Sequence, residues 1–474
     1  MIAKPGDFLA GRLAGLKERQ VRRDFDLAAV HFDFAGVCHH YRLNSLAAYK
    51  LRGRAGRGLS IRIPKRIPVA TCRDRSAEFP TDQAALDNNF HTSLGSIGRG
   101  GPDNVTTENS AFDQFLKNRH FLGLDGMRCI AIIAVIWHHS SPPKLLPIMG
   151  RGFLGVDLFF VLSGFLISTL LIREKAATGK ISLGDFWMRR ALRLIPAYYA
   201  VLLVLVAAYV ILKPGSEETR AIVSGFPIYA FYLSNWVHPG APNLGPTWSL
   251  ATEEQFYLVW PLIEAFGTPI ISTAAIFAGL IVNQIINFGG LDGAIGAVTG
   301  WAPVDHPEVL QTTFTPILLG VGLAHLLNQR ASFAFMRRIA GFPYAGAAYA
   351  ALSVALVCLP ASDISGILRL SIHLSFSLFV AAVILTPHGA AARFLEHRPI
   401  AFIGKVSYGI YLYHMFALHA AAVIVRKSGI PTTPATFIIG AMIAVAVSAA
   451  SFYLLEKRFL DLRKRFRPVV TITQ

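Results

Sequence analysis

The sequence predicts an all-α fold, a polytopic membrane helix bundle of about ten transmembrane helices with one extra short re-entrant or interfacial segment. Three observations predict it. Of 474 residues, 53% are hydrophobic and only 15% charged, where a soluble domain carries about 25% charged residues, and the mean hydropathy is +0.47. Apolar runs of roughly 20 residues, the length that crosses a bilayer, recur from Phe121 onward. Lys and Arg exceed Asp and Glu, 45 against 28, and gather in a few loops, as cytoplasmic loops do. The net charge of +17 therefore points first to membrane topology and lipid, and no nucleic-acid partner is expected.

Residues 1–118 differ from the rest. They are rich in Arg, Gly and Asp, include KLRGRAGRGLSIRIPKR, and lack sustained periodicity, which suits a basic, disordered extension. Either this arm binds anionic lipid or it is the product of a start codon set too far upstream; the remaining chain looks complete without it. No secretory signal opens the chain, because Met1 to Leu16 contains no apolar core. The four cysteines, Cys38, Cys72, Cys129 and Cys358, have neither paired nor metal-ligand spacing, so neither a disulfide nor a metal site is expected.

The membrane domain is expected over 119–460, followed by a basic cytoplasmic tail over 461–474. Its apolar segments run at about 124–141, 152–172, 191–212, 222–237, 247–266, 269–288, 309–328, 346–361, 366–386, 400–425 and 433–455. The basic loops around Arg173 to Arg193, Arg330 to Arg338 and Arg393 to Arg398, and the tail from Lys457 to Arg467, are placed in the cytoplasm. An odd number of crossings must then separate Leu212 from the cytoplasmic end of the 309–328 segment. Four candidates lie there, so one does not span. The 222–237 segment is short and holds Pro227, Ser234 and Asn235, and is read as re-entrant or interfacial. Ten spans with both termini cytoplasmic follow.

The first segment, LDGMRCIAIIAVIWHHS, carries Arg128 at one end and His138 and His139 at the other. Arg128 and His139 are eleven residues apart, about 16 Å along a helix and on nearly one face. Ionisable groups at membrane depth cost roughly 2.5 to 3.5 kcal/mol each, so they mark either a site or two interfacial anchors. The topology puts Arg128 near the cytoplasm and His139 near the outer face. Asp157, at the outer start of the next segment, is expected at the depth of His139, where a carboxylate can fix an imidazole tautomer; the alternative is a charge favoured by the helix dipole.

Three further segments carry polar groups. In FWMRRALRLIP, Arg190 and Arg193 share one helix face and can bind two oxygens of one phosphate, or simply anchor the helix in the cytoplasmic interface. In GPTWSLATEEQFYLVWPL, Glu253 and Glu254 point to different faces, so at most one faces the bundle interior. The topology puts both towards the outer face, where the alternative is an interfacial helix start with acidic residues in its first turns, which fits Glu254 better than Glu253. In FIGKVSYGIYLYHMFALH, Ser407, Tyr411 and His414 fall at i, i+4 and i+7; they line a polar substrate path or bond neighbouring helices.

Taken together and in this order, LDGMRCIAIIAVIWHH, GVDLFFVLSGFLIS, FWMRRALRLIP, PTWSLATEEQFYLVWP and VSYGIYLYH resemble the acyltransferase-3 family of integral-membrane O-acyltransferases. The resemblance covers about residues 119–460. It implies ten helices and a role for Arg128 and His139. It also implies that Arg190 and Arg193 meet acyl-CoA, and that Glu253 is the family's glutamate after the WSL triplet. Two departures stand out: residues 1–118 have no counterpart in the plain family core, and no SGNH-type hydrolase domain follows the last helix.

The expected function is a multi-pass inner-membrane enzyme. It takes an acyl group, acetyl first, from cytoplasmic acyl-CoA and gives it to a hydroxyl outside, on a cell-surface glycan or a similar acceptor. No permanently bound cofactor is expected; acetyl-CoA or another acyl-CoA is a donor substrate. Arg128, Arg190 and Arg193 would hold the donor. His139 would act as general base, aided by Glu253 or Asp157. The competing class is a transporter or flippase whose buried charges line a pathway, which would show interrupted segments in inverted repeats.

Overall fold

The computed structural model describes residues 102–466 except 119, 144, 238, 242, 300–313, 362–363 and 429–431. The expectations for residues 1–101 lie outside the described residues. Among those described there are helices and turns and no strand. The helices used below are α1 (Pro102–Lys117), α2 (Leu124–His139), α3 (Leu154–Thr178), α4 (Leu183–Leu212), α5 (Glu217–Ala230), α6 (Thr247–Phe266) and α7 (Pro269–Asn287). They continue with α8 (Thr315–Leu327), α9 (Arg330–Ala340), α10 (Ala345–Cys358), α11 (Gly366–Leu385), α12 (Arg398–Lys405), α13 (Ser407–Ser428) and α14 (Thr432–Ser451).

Among the described residues each apolar run of the sequence contains a helix, and local chemistry sets some of the ends. The Thr268 hydroxyl accepts from the Ile271 N–H with Pro269 in the first turn of α7, and Gly179, at φ 74°, ends α3. Outward faces are apolar: Val204, Ile211 and Leu212 on α4, Ile270 and Ile281 on α7 and Met442 on α14 are all exposed. Such a belt on a helical bundle is the surface that hydrocarbon covers, and the chain is a membrane protein.

Six helices are long and apolar enough to cross a membrane, namely α3, α4, α7, α11, α13 and α14 with its continuation to Phe466. The α9–α10 pair, bent by 70°, raises the number to seven if it is one span. The expected ten is larger because α2 and α8 have only 16 and 13 residues and α6 interrupts its apolar run with Glu253, Glu254 and Gln255.

Two boundaries differ from the sequence reading. Residues 102–117, expected within a tail without periodicity, form α1. Phe112 and Phe115 are buried against Phe333, and Arg173 donates to the Phe115 and Asn118 carbonyls at 2.9 and 2.7 Å. That guanidinium satisfies carbonyls that the end of a helix leaves open, so the tertiary core holds a helix that periodicity alone does not announce. At the other end, the expected tail from 461 continues as helix to Leu462 and a 3₁₀ turn to Phe466.

Small residues set the close helix contacts. A Cβ on Gly164 would lie 2.1 Å from the Ile317 carbonyl oxygen, and one on Gly320 would lie 2.2 Å from that of Val161, so α3 and α8 cross with their backbones nearly touching. Gly404 of α12 abuts the Asp125 carbonyl of α2 in the same way, where a side chain would push the first turn of α2 aside. Between α3 and α6, the Lys175 ammonium donates to the Glu264 and Gly267 carbonyls at 2.6 and 2.8 Å. These contacts fix the helices that carry the polar residues.

Candidate active site

Five helices, α2, α3, α4, α6 and α13, enclose a cavity with about 700 Å³ of unfilled space, including its mouth. Its polar walls are Arg128 from α2, Arg190 and Arg193 from α4, Glu253 from α6, and Ser407 and Tyr411 from α13. Six of the nine residues expected from the sequence to form a site therefore meet around one space. Phe159, Phe160 and Leu250 supply apolar walls.

Each arginine is oriented by neighbours. Arg128 Nη1 lies 2.6 Å from Asp125, one helical turn away. The Arg190 guanidinium sits 5.0 Å from the centre of the Tyr257 ring and 5.9 Å from that of Phe186, a stacking that orients the planar cation while leaving its edge available. Arg189, the third arginine of the cluster, turns away: it donates to the Phe466 carbonyl at 2.8 Å and pairs with Glu174 at 3.5 Å. The Trp187 indole donates to the Tyr257 carbonyl and the Tyr408 hydroxyl to the Leu194 carbonyl, so α4 is tied to both α6 and α13.

Of the adjacent glutamates, Glu253 faces the cavity and Glu254 does not line it, as helix geometry requires of neighbours in sequence. Glu253 Oε1 accepts from the Ser163 hydroxyl at 2.6 Å. Tyr411 accepts from Ser249 at 2.6 Å and donates to the Pro246 carbonyl at 2.8 Å. Ser163, Ser249 and Tyr257 were absent from the sequence reading. Ser249 and Tyr257 stand four residues before and after Glu253, so the helical period carried that signal; Ser163 needed the packing of α3 on α6.

The histidines lie outside the walls of this cavity. His139 and His414 stand edge to face with ring centres 4.9 Å apart. His139 Nδ1 is 2.9 Å from the Val135 carbonyl, and His414 Nδ1 is 2.6 Å from the Tyr411 carbonyl. A carbonyl only accepts, so both Nδ1 atoms carry hydrogen and both Nε2 atoms of the neutral rings present a lone pair. His414 is fully buried and its Nε2 has no partner among the described residues. It lines a smaller neighbouring cavity of about 350 Å³ that shares Tyr411 and Leu250 with the first. His138 is spent elsewhere, with Nδ1 3.1 Å from the Gly150 carbonyl.

Asp157 is a correction. Its carboxylate lies 3.0 Å from His373 Nε2 and 3.4 Å from Arg369 Nη2, both on α11, rather than beside His139. Depth along the normal is shared by every helix at that level, but the azimuth of Asp157 on α3 turns it away from α2, towards a buried cation that needs it.

A chain with a cation-lined cavity, a carboxylate and two lone-pair-bearing imidazoles in an apolar bundle can be set beside known proteins. The family described as the acyltransferase domain (Acyl_transf_3) matches residues 121–453. The chain belongs to the acyltransferase-3 family. Among curated proteins it is similar to O-acetyltransferase OatA of Staphylococcus aureus strains NCTC 8325 / PS 47, COL and MRSA252. In each it is 32% identical over 331 residues, covering 65% of this chain and 52% of the relative. The chain thus spans about half the length of these relatives. No solved structure matches. The five helices of the cavity lie within the matched segment, whereas α1 precedes it.

Proposed function

We propose that this family member is a membrane O-acyltransferase that moves an acyl group, acetyl first, from acyl-CoA on the cytoplasmic side to a hydroxyl of an extracytoplasmic acceptor. A cell-surface glycan is the acceptor class that fits best. Ten spans with both termini in the cytoplasm of the inner membrane belong to the same proposal, with surrounding lipid as its other partner. The observation that carries it is the cavity: Arg128, Arg190 and Arg193 converge on one space with Glu253 as the carboxylate in its wall. Three guanidinium groups concentrated in a low-dielectric bundle attract an anion of high charge, such as the phosphates of coenzyme A, which arginine binds through two parallel bonds.

The reaction then follows from the tautomers. The Val135 carbonyl holds His139 with Nδ1 protonated, so Nε2 takes the proton of the acceptor hydroxyl as the oxygen attacks the thioester carbonyl carbon. The carbon–sulfur bond breaks and the departing thiolate receives that proton, leaving an ester and a free thiol. Base catalysis of this kind contributes about 10² to 10⁴ in rate. Glu253, fixed by Ser163, faces the arginines and orders them as well as the ligand. Ser407 and Tyr411 line the arginine cavity, and Tyr411 and His414 the smaller one beside it, so these three form the path towards His139.

The test is incorporation of label from acetyl-CoA by the purified full chain in lipid nanodiscs, with chito-oligosaccharide as acceptor. Label in the sugar supports the proposal. Thioester cleavage that never exceeds that of empty nanodiscs rejects the donor assignment.

A further inference from the structure

A second, larger groove lies apart from the arginine cavity and shares no residue with it. It holds about 1340 Å³ of unfilled space, including its open mouth, between α1, α9 and the end of α11. Phe115, Phe333 and Ile384 form apolar wall, while Lys117, His120, Arg337 and His388 carry the basic groups. No Asp or Glu lines it. Asp113 of α1 is engaged by Arg330 at 3.0 Å, and neither Lys117 nor Arg337 has an ion pair among the described residues. α9 buries Phe333, Met336 and Ala340 on one face and ends in Arg337 and Arg338.

We infer that this groove binds an anionic phospholipid of the surrounding membrane, with its phosphate between Lys117 and Arg337 and its acyl chains along Phe115, Phe333 and Ile384. Charge complementarity selects this occupant. Residues 1–101 hold 17 Lys and Arg against 9 Asp and Glu, so this segment would meet the basic groove with like charge. A zwitterionic lipid brings its own ammonium beside the phosphate and so has no net charge to set against the two cations, whereas an anionic headgroup gains about 1 kcal/mol from each. One wall is α1, which precedes the segment shared with the family. The site is independent of the acyl-transfer proposal.

The test gives the purified full chain equal amounts of phosphatidylglycerol and phosphatidylcholine in detergent and reads retained lipid by native mass spectrometry. The wild type retains phosphatidylglycerol roughly 30-fold in preference, the ratio that two such cations supply. The double variant Lys117→Gln, Arg337→Gln loses most of that preference. Gln114→Glu, an exposed position on the same wall, lowers it by adding negative charge without removing a contact, and covers the case in which the double variant fails to fold. Equal retention of the two lipids by the wild type, or an unchanged preference in the variants, overturns the inference. So does displacement of the retained lipid by coenzyme A at equal concentration, which makes the groove a nucleotide site.

Discussion

Ser163 on α3 donates its hydroxyl hydrogen to Glu253 on α6 across 2.6 Å, joining two segments that lie 90 residues apart in sequence. The bond sets which way the Glu253 carboxylate points inside the arginine cavity. A hydrogen bond to a charged group is worth about 1.5 to 3 kcal/mol. Ser163→Ala is expected to lower acyl transfer by roughly tenfold or more, with the protein still expressed and monodisperse, and Ser163→Thr to recover most of it. Unchanged turnover in Ser163→Ala would separate this bond from the reaction.

Arg189 and Arg190 are adjacent in sequence and opposite in role. Arg190 lines the cavity over Tyr257, whereas Arg189 holds the Phe466 carbonyl and Glu174. Arg190→Lys keeps the charge but loses the planar, two-bond geometry, so the KM for acyl-CoA should rise about tenfold or more with little change in melting temperature. Arg189→Lys should do the reverse, lowering the melting temperature while KM stays within about twofold. Donor titrations and thermal melts of the two variants distinguish the cases, and identical behaviour would refute the division of roles.

Asp157 belongs to a buried cluster with Arg369 and His373. Removing one partner of a buried pair leaves an uncompensated charge and costs about 3 to 5 kcal/mol. Asp157→Asn is expected to fall sharply in thermal stability, while the folded fraction binds a non-hydrolysable acyl-CoA analogue as tightly as the wild type. Loss of donor binding at unchanged stability would place Asp157 in the site after all.

These contrasts show what the sequence carries and what it cannot. The helical runs were legible because apolar periodicity is local, and the shared face of Arg190 and Arg193 was legible from their spacing of three. Glu253, expected at the outer face beside His139, lines the arginine cavity instead, a placement that the packing of α6 against α4 decides. The direction in which Asp157 faces was not legible, since topology gives depth and not rotation about the helix axis. Ser163 was silent for the same reason: a serine in an apolar helix acquires meaning only from the glutamate that packs against it. α1 was missed because Arg173 and Phe333, distant in sequence, provide the contacts that hold it.

The α1 contacts yield their own expectation. A chain beginning at Pro102 keeps Phe112 and Phe115 in place and the Arg173 guanidinium on its carbonyls, and should match the full chain in thermal stability. A chain beginning at Phe121 loses two buried phenyl rings, each worth about 3 kcal/mol or more, and leaves Arg173 without those partners. Its melting temperature should drop clearly, and equal stability of the two truncations would show that α1 does not stabilise the bundle.

His139 carries the central claim, because its Nδ1–H bond to Val135 leaves Nε2 as the atom that takes a proton. The most direct measurement follows label from acetyl-CoA supplied to the cytoplasmic face of membrane vesicles that hold either the wild type or His139→Gln at equal level. Label should enter a non-protein acceptor in wild-type vesicles and fall to the level of vesicles lacking the chain in His139→Gln. Labelling of His139→Gln vesicles at the wild-type rate would contradict the account.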